Sequence, residues 1–205
     1  MKTYVISLPG AQERRAFQVA QLTGLCLDFN IVDAVSTQDL ADMNIPVALD
    51  RWERAFMPTE VACFLSHYRL WQTIAKDTAP ALILEDDVLF SSDVPGFLTQ
   101  AQNLRCIDHI SLETRLRKKL LGRANSVYAD ITIARLYQDR TGAAAYVLWP
   151  QGAAKLLAHA REYGAALADA FISNFYELQS WQAVPALAIQ SDVANSYGVQ
   201  SPLRT

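Results

Sequence analysis

No stretch of this chain approaches the roughly 20 apolar residues that a membrane-crossing helix needs. Met1-Lys2 runs into only about six residues of alternating apolar character, not a signal-peptide core, so the protein is expected to stay in the compartment where it is made. With 8 glycines and 8 prolines in 205 residues, and no repeat or low-complexity tract, collagen-like and disordered classes are excluded. Charge of neither sign is in excess: 18 Lys+Arg stand against 21 Asp+Glu, a net charge of −3. That balance argues against a broad surface for nucleic acid or anionic lipid and leaves room only for a local basic cluster. There is no HExxH, no CxxC pair, no Gly-rich P-loop and no GxSxG, so zinc-type hydrolysis and P-loop phosphoryl transfer lose support. The three cysteines, Cys26, Cys63 and Cys106, are odd in number, widely spaced and flanked by apolar residues. Their expected role is that of small buried hydrophobes.

What is present is a core: 51% of residues are hydrophobic and 19% charged, and a chain of this length buries roughly 70% of its unfolded surface. One compact domain is expected, with a first half to about residue 105 and a more mixed second half. Thr3 to Leu8 alternates like a strand and is broken by Pro9-Gly10, and Ala11 to Thr23 follows as a helix with Gly24 placed as its C′ residue. Such a strand–turn–helix start is typical of nucleotide-handling α/β folds. Leu27 to Val35 is a second run of strand length, while Thr37 to Arg54 reads as loop with short helix. Thr59 to Lys76 changes period to three and four, a helix opened by Pro58-Thr59-Glu60. Ala81 to Leu84 is a short continuous apolar run, as in a strand buried on both faces. Ile107 to Leu112, Val127 to Leu136 and Ala143 to Trp149 read as further strands, Pro150 to Tyr163 as a helix, and Asp169 to Trp181 as another apolar-periodic segment.

Glu85-Asp86-Asp87, directly after the buried run, is the most unusual feature. Strand alternation puts Glu85 and Asp87 on one side and Asp86 on the other. Adjacent carboxylates repel unless something cationic sits among them, and hard ions such as Mg²⁺ or Mn²⁺ prefer such oxygen ligands. The carboxyl end of a central strand is also where open α/β sheets bind ligands. Glu60 and His67, two turns apart, form a polar line on the long helix with Cys63 between them, and Ser66 and His67 could present a hydroxyl and an imidazole. Arg14 and Arg15, in the first turn of the first helix, suit a diphosphate or simply a solvated face. Glu113 and Asp169 are isolated carboxylates, each readable as surface or cap.

Several segments in order resemble one family, glycosyltransferase family 25. They are YVISLPGAQERR at Tyr4 to Arg15, TEVACFLSHYRLW at Thr59 to Trp71, LILEDDVLF at Leu82 to Phe90, ISLET at Ile110 to Thr114, GAAAYVLWPQGAAKLL at Gly142 to Leu157 and ADAFISNFY at Ala168 to Tyr176. The resemblance implies a GT-A-like, Rossmann-like α/β domain with a mixed central sheet. It implies an inverting, metal-dependent transferase that moves a hexose, commonly galactose from UDP-galactose, to a lipooligosaccharide or related glycan acceptor. In that reading Glu85 and Asp87 hold Mn²⁺ or Mg²⁺, and Arg14, Arg15, Ser66, His67, Glu85, Asp86, Gly142 and Tyr146 line the nucleotide sugar. Asp169 is the first choice for the base and Glu113 the second. Family members often carry a hydroxyl residue where this chain has Ala143. No nucleic-acid partner is expected. The place implied is the cytoplasm, with at most peripheral association at the inner face of the membrane, since Ser201 to Thr205 leaves little room for a basic tail. Alternatives from other classes are a sugar-nucleotide nucleotidyltransferase and a non-catalytic nucleotide- or glycan-binding relative.

Overall fold

The computed structural model describes residues 1–138 and 142–203. Its first half runs β1 (Lys2–Ser7), α1 (Gln12–Gly24), β2 (Phe29–Asp33), α2 (Pro58–Ile74), β3 (Ala81–Glu85), β4 (Val88–Phe90) and α3 (Val94–Ala101). The second runs β5 (His109–Ser111), β6 (Leu120–Tyr128), β7 (Ile131–Gln138), β8 (Ala145–Leu148), α4 (Pro150–Tyr163), α5 (Ala168–Ser173), β9 (Ser180–Val184) and β10 (Ala188–Gln190). Eight strands form one sheet in the order β2-β1-β3-β8-β5-β9-β7-β6, and β10 pairs with β4 beside it. The sheet is mixed: β1 runs parallel to β2 and β3, whereas β8 is antiparallel to both β3 and β5. This is a Rossmann-like α/β architecture with a mixed central sheet, as expected.

The register explains why β3 is apolar at every position. Ala81 and Ile83 face the layer of α2, α4 and α5, with Tyr146 and Leu148 of β8 alongside. Leu82 and Leu84 face the opposite core with Leu22 of α1 and Phe97 of α3. Burying each such side chain contributes about 1.5–3 kcal/mol, so a strand sandwiched between two layers has no position to spare for a polar residue until it emerges at Glu85.

Several local expectations change. Cys26, Cys63 and Cys106 are all exposed rather than buried. Two of them stand in turns: Cys26 at φ 54° and Cys106 at φ 61°. Gly24 lies inside α1, and the left-handed residue is Cys26, where Leu27 N–H reaches Leu22 O and Cys26 N–H reaches Thr23 O, both at 3.0 Å. That bond pair is a Schellman closure with C′ at Cys26, two residues later than the glycine suggested. The segment Asp169 to Trp181 is not one helix, because α5 ends at Ser173 and β9 begins at Ser180. Val127 to Leu136 is instead a hairpin of β6 and β7, turning at Ala129-Asp130 with Ala129 at φ 46°. Within Thr37 to Arg54 the single regular element is a 3₁₀ turn at Asp39–Ala41. Of the terminal stretch, Arg204 and Thr205 lie outside the described residues.

The first turn of α4 lies against the entry to β5 with no room to spare. A Cβ at Gly152 would fall 2.4 Å from the Asp108 backbone oxygen. Gly152→Ala must therefore move backbone, and a loss of about 1–3 kcal/mol is expected. A urea midpoint equal to that of the wild type would contradict this packing.

Candidate active site

The acidic triplet divides with Glu85 and Asp87 together, as expected, but at a turn: Glu85 ends β3, and Asp86-Asp87 form the turn into β4. The Gln190 side-chain amide donates to Glu85 Oε2 at 3.1 Å and to both Asp87 oxygens at 3.3 and 3.4 Å, so those two carboxylates converge on one group. Asp86 points away, accepting the Ser7 hydroxyl at 2.6 Å and pairing with Arg14 at 3.1 Å. Burial, followed by the Glu85 charge, pushes Asp87 up to about 6, against the Gln190 hydrogen bond. Like charges held this close fit a divalent cation on Glu85 and Asp87.

Helix α2 approaches the triplet from one side. Glu60 serves the helix itself, accepting Met57 N–H at 2.8 Å and pairing with Arg54 at 2.6 Å, which holds its carboxyl down at about 2. Cys63 is exposed, yet desolvation with the charges of Glu85 and Asp169 pushes its thiol up to about 12. Ser66 spends its hydroxyl on Val35 N–H at 2.9 Å and Ala62 O at 2.8 Å. His67, fully buried, places Nδ1 at 2.9 Å from the Tyr146 hydroxyl and Nε2 at 3.3 Å from Glu85 Oε1.

Proton inventory sets the direction of this chain. Trp71 Nε1 can only donate, and it donates to the Tyr146 oxygen at 2.9 Å. The hydroxyl proton of Tyr146 then goes to His67 Nδ1, and Nε2–H is left to donate to Glu85. The tautomer is thus assigned from the network. The reverse assignment would strand a buried hydroxyl proton at a cost of about 1–3 kcal/mol. Cys63, His67 and Glu85 also bring ligand atoms within 4.8 Å of one another, a grouping able to hold a metal ion. The tautomer makes His67 a support for Glu85 in the first instance.

These groups border a cavity of about 420 Å³, whose walls include Cys63, Glu85, Gln190, Gly142, Ala143 and Asp169, and also Arg115 and Arg117. Arg115 is tied to Asp192 at 2.6 Å and to the Gln190 side-chain oxygen. Asp169, half-buried at the start of α5, accepts the N–H of Ala170 at 2.8 Å. Gly142 has φ 128°, and a Cβ there would stand 2.9 Å from Glu113 Oε1. Glu113 is 1% exposed: Oε1 accepts Ala144 N–H at 2.7 Å and Oε2 has no partner. Burial, joined by the Glu85 charge, pushes this carboxyl up to about 7.

The structure therefore gathers Glu85, Gly142 and Asp169 around one space, with Asp87 joined to its wall through Gln190 and with Tyr146 and His67 behind Glu85. It does not bring Arg14, Arg15 or Ser66 to that cavity: Arg15 ties the end of β1 to β2 through Ser7 O at 2.8 Å and Asp33 at 2.5 Å. Arg115, Arg117 and Gln190 are the residues that sequence reasoning missed. The signal for the first two was the densest basic run in an acidic chain, Arg115 to Lys119; Gln190 had none.

An α/β protein with a cavity of both charge signs at the carboxyl end of its central strand is the class that fold and site define. The chain belongs to glycosyltransferase family 25 (LPS biosynthesis protein), whose model matches residues 1–172. It is 27% identical over 199 residues to the lipooligosaccharide biosynthesis protein lic2B of Haemophilus influenzae, covering 91% of this chain and 75% of that one. It is 28% identical over 159 residues to the lacto-N-neotetraose biosynthesis glycosyltransferase LgtE of Neisseria meningitidis, covering 72% and 56%. The human inactive glycosyltransferase 25 family member 3 is 34% identical over 107 residues, 47% of this chain and 18% of that protein. Among solved structures, the inositol-1-phosphate CTP transferase from T. maritima aligns over 100% of this chain and 91% of that one, with a TM-score of 0.47 and 10% identity, too distant to bear on function.

Glu113 gives this region a pH signature. Its folded value, about 7, lies above its ordinary value of 4.5, so the unfolded chain releases a proton that the folded chain retains. Stability is then lost as pH rises from about 4.5 to about 7. Relative to wild type, Glu113→Gln is expected to gain ~3 kcal/mol between pH 4 and pH 8. Urea titrations of the two proteins that run parallel across this range would show that the carboxyl is not held protonated.

Proposed function

We propose that the protein is an inverting, metal-dependent glycosyltransferase that moves a hexose from a nucleotide sugar, UDP-galactose first among donors, to a lipooligosaccharide or related glycan. The observation that carries the reading is the convergence of Glu85 and Asp87 on the Gln190 amide, at the wall of a cavity that Glu85 and Gln190 line together with Arg115, Arg117 and Asp169. Membership of family 25 supports the reaction class, and the lipooligosaccharide and lacto-N-neotetraose biosynthesis roles of lic2B and LgtE support the glycan. Galactose is supported by the procollagen galactosyltransferase 1-B of Xenopus laevis, 32% identical over 99 residues, 43% of this chain and 16% of that protein.

In this reading Glu85 and Asp87 would hold Mn²⁺ or Mg²⁺, which would supply positive charge to a departing nucleoside diphosphate. Arg115 and Arg117 add charge of the same sign across the cavity. Arg14, paired with Asp86 away from the cavity, would meet a nucleotide only where it extends past the triplet, and Arg15 is engaged in holding β1 to β2. His67 and Tyr146 hold Glu85 from beneath, while Gly142 keeps the wall over Glu113 thin. The acceptor oxygen bonds to the sugar C1 as the bond from C1 to the phosphate oxygen breaks on the opposite face. The acceptor proton passes to Asp169, the half-buried carboxylate on the wall. Glu113 is the poorer base, since its free oxygen is enclosed. The acceptor implies work at the cytoplasmic face of a membrane; no described helix is long and apolar enough to cross one.

A second reading, a non-catalytic relative, draws on the inactive human protein and on Ala143, which stands on the cavity wall without a hydroxyl. Calorimetric titration with UDP in Mn²⁺ or Mg²⁺, followed by nucleotide release from a panel of nucleotide sugars, separates the two. Asp87→Asn is expected to weaken metal-dependent UDP binding by roughly 100-fold. Asp169→Asn is expected to bind UDP like wild type and to lose roughly 10²–10⁴-fold in kcat. UDP affinity that is indifferent to Asp87→Asn would misplace the metal, and donor binding without transfer in wild type would favour the second reading.

A further inference from the structure

Alternate residues on β5 and just beyond it, His109, Ser111 and Glu113, form a buried polar stripe. Ser111 pairs with Tyr146 and His109 with Leu148, which puts the stripe on the sheet face that α2 and α4 cover further along. The three are 2%, 1% and 1% exposed, and each has polar atoms without a partner: both ring nitrogens of His109, the Ser111 hydroxyl and Glu113 Oε2. Leaving a buried polar group unsatisfied costs about 1–3 kcal/mol. Native proteins keep few such groups, and three in a row on one strand face call for a polar occupant.

His109 and Ser111 border a second cavity, of about 270 Å³, distinct from the one that holds the acidic pair. Burial, with the Lys119 charge, pushes His109 down to about 3, so its ring is neutral and offers one N–H and one lone pair. Ser111 likewise offers one donor and one acceptor. Arg135 at the cavity is already turned to the carbonyl oxygens of Ser180 at 2.6 Å and Leu178 at 3.3 Å. Backbone carbonyls thus hold the Arg135 guanidinium in place, and the groups left without a partner, His109 and Ser111, are neutral donor–acceptor pairs, the complement of adjacent hydroxyls. Tyr176, 68% exposed, supplies a ring face at the rim. The volume equals that of roughly nine liquid waters, the scale of one monosaccharide. Gly142 lines both cavities, so an occupant here abuts the space that contains Asp169.

We propose that this second cavity is a sugar subsite that seats one neutral hexose of the acceptor, its hydroxyls against His109 and Ser111 and its C–H face against Tyr176. The inference rests on the transferase reading for the word acceptor, and on the stripe alone for the sugar.

The test is ligand-observed NMR of the full chain, without donor, titrated with methyl β-galactoside, methyl β-glucoside and methyl β-N-acetylglucosaminide. Millimolar binding of at least one glycoside is expected, weakened at least fivefold in Ser111→Ala and in Tyr176→Ala, the latter an exposed position whose loss spares the core. In turnover, both variants are expected to raise the acceptor KM at least fivefold while the donor KM moves less than twofold. Failure of wild type to bind any of the three would mean that the stripe holds ordered water only and would overturn the proposal, as would undiminished binding in both variants. Glycoside binding without nucleotide release from any donor would sink the transferase reading and leave the subsite standing. Nucleotide release with no glycoside binding would do the reverse.

Discussion

The hydroxyl of Tyr146 is the point on which sheet, helix and site depend together. It accepts from Trp71 and donates to His67, both on α2, and it sits on the strand wedged between β3 and β5. Without that hydroxyl two buried nitrogens would face one another with no oxygen between them. With it, the long helix is fixed in rotation against the middle of the sheet, and the only proton that His67 has to give is aimed at Glu85. Packing and chemistry are therefore set by one group: the rings that stack around Tyr146 are core, and the end of the same chain of hydrogen bonds is the site.

Strand alternation distributes the rest. On β3 both faces are covered, so polarity begins only where the strand emerges, and it begins abruptly with three carboxylates that must part to opposite sides. On β5 the same alternation gives Ile110 and Leu112 to one core and His109, Ser111 and Glu113 to the other face. The helical layer on that face leaves a cavity beside the stripe, with Ile172 and Ser173 of α5 among its walls. A polar row at such a place costs stability and has no structural purpose among the described partners, which separates it from the satisfied buried polar groups such as Gln18 and Asp108.

Much of this was legible in the sequence, and the limits have physical causes. β1, α1, α2, β3, β8 and α4 have strong periods or clear boundaries, because each is buried by neighbours close in sequence or on both faces. α3, β6, β9 and β10 were missed: α3 is only eight residues, β6 is an edge strand with a mostly exposed pattern, and β9 and β10 are short and take their partners from far along the chain. The division of the acidic triplet matched the alternation reading, although a turn at Asp86-Asp87 and not a continuing strand produces it. The cysteines did not match theirs, since apolar flanks say nothing of a residue that carries a turn. Ser66 and Arg15 looked available because a sequence shows side chains and not the backbone groups that engage them. His109 and Ser111 went unmarked because an imidazole and a hydroxyl inside a strand look ordinary until their lack of partners is seen.

Gln190 shows why the site had to be read in three dimensions. Its amide nitrogen faces Glu85 and Asp87 while its oxygen accepts from Arg115, so a single neutral side chain joins the anionic and cationic walls of the cavity. The geometry leaves no choice in the orientation of the amide, since carboxylates can only accept and a guanidinium can only donate. Two like-charged carboxylates, Asp87 raised by burial and by the Glu85 charge, are thereby held together by a donor borrowed from a strand more than a hundred residues away. The acidic motif is conspicuous on paper because its residues are adjacent; the positive wall is not, because Arg115 reaches the motif only through β10. A cavity that keeps both signs apart by one amide would, in the proposed function, meet both parts of a diphosphate with its cation, and this pairing of walls, more than the carboxylates alone, is what distinguishes the site from a solvated acidic turn.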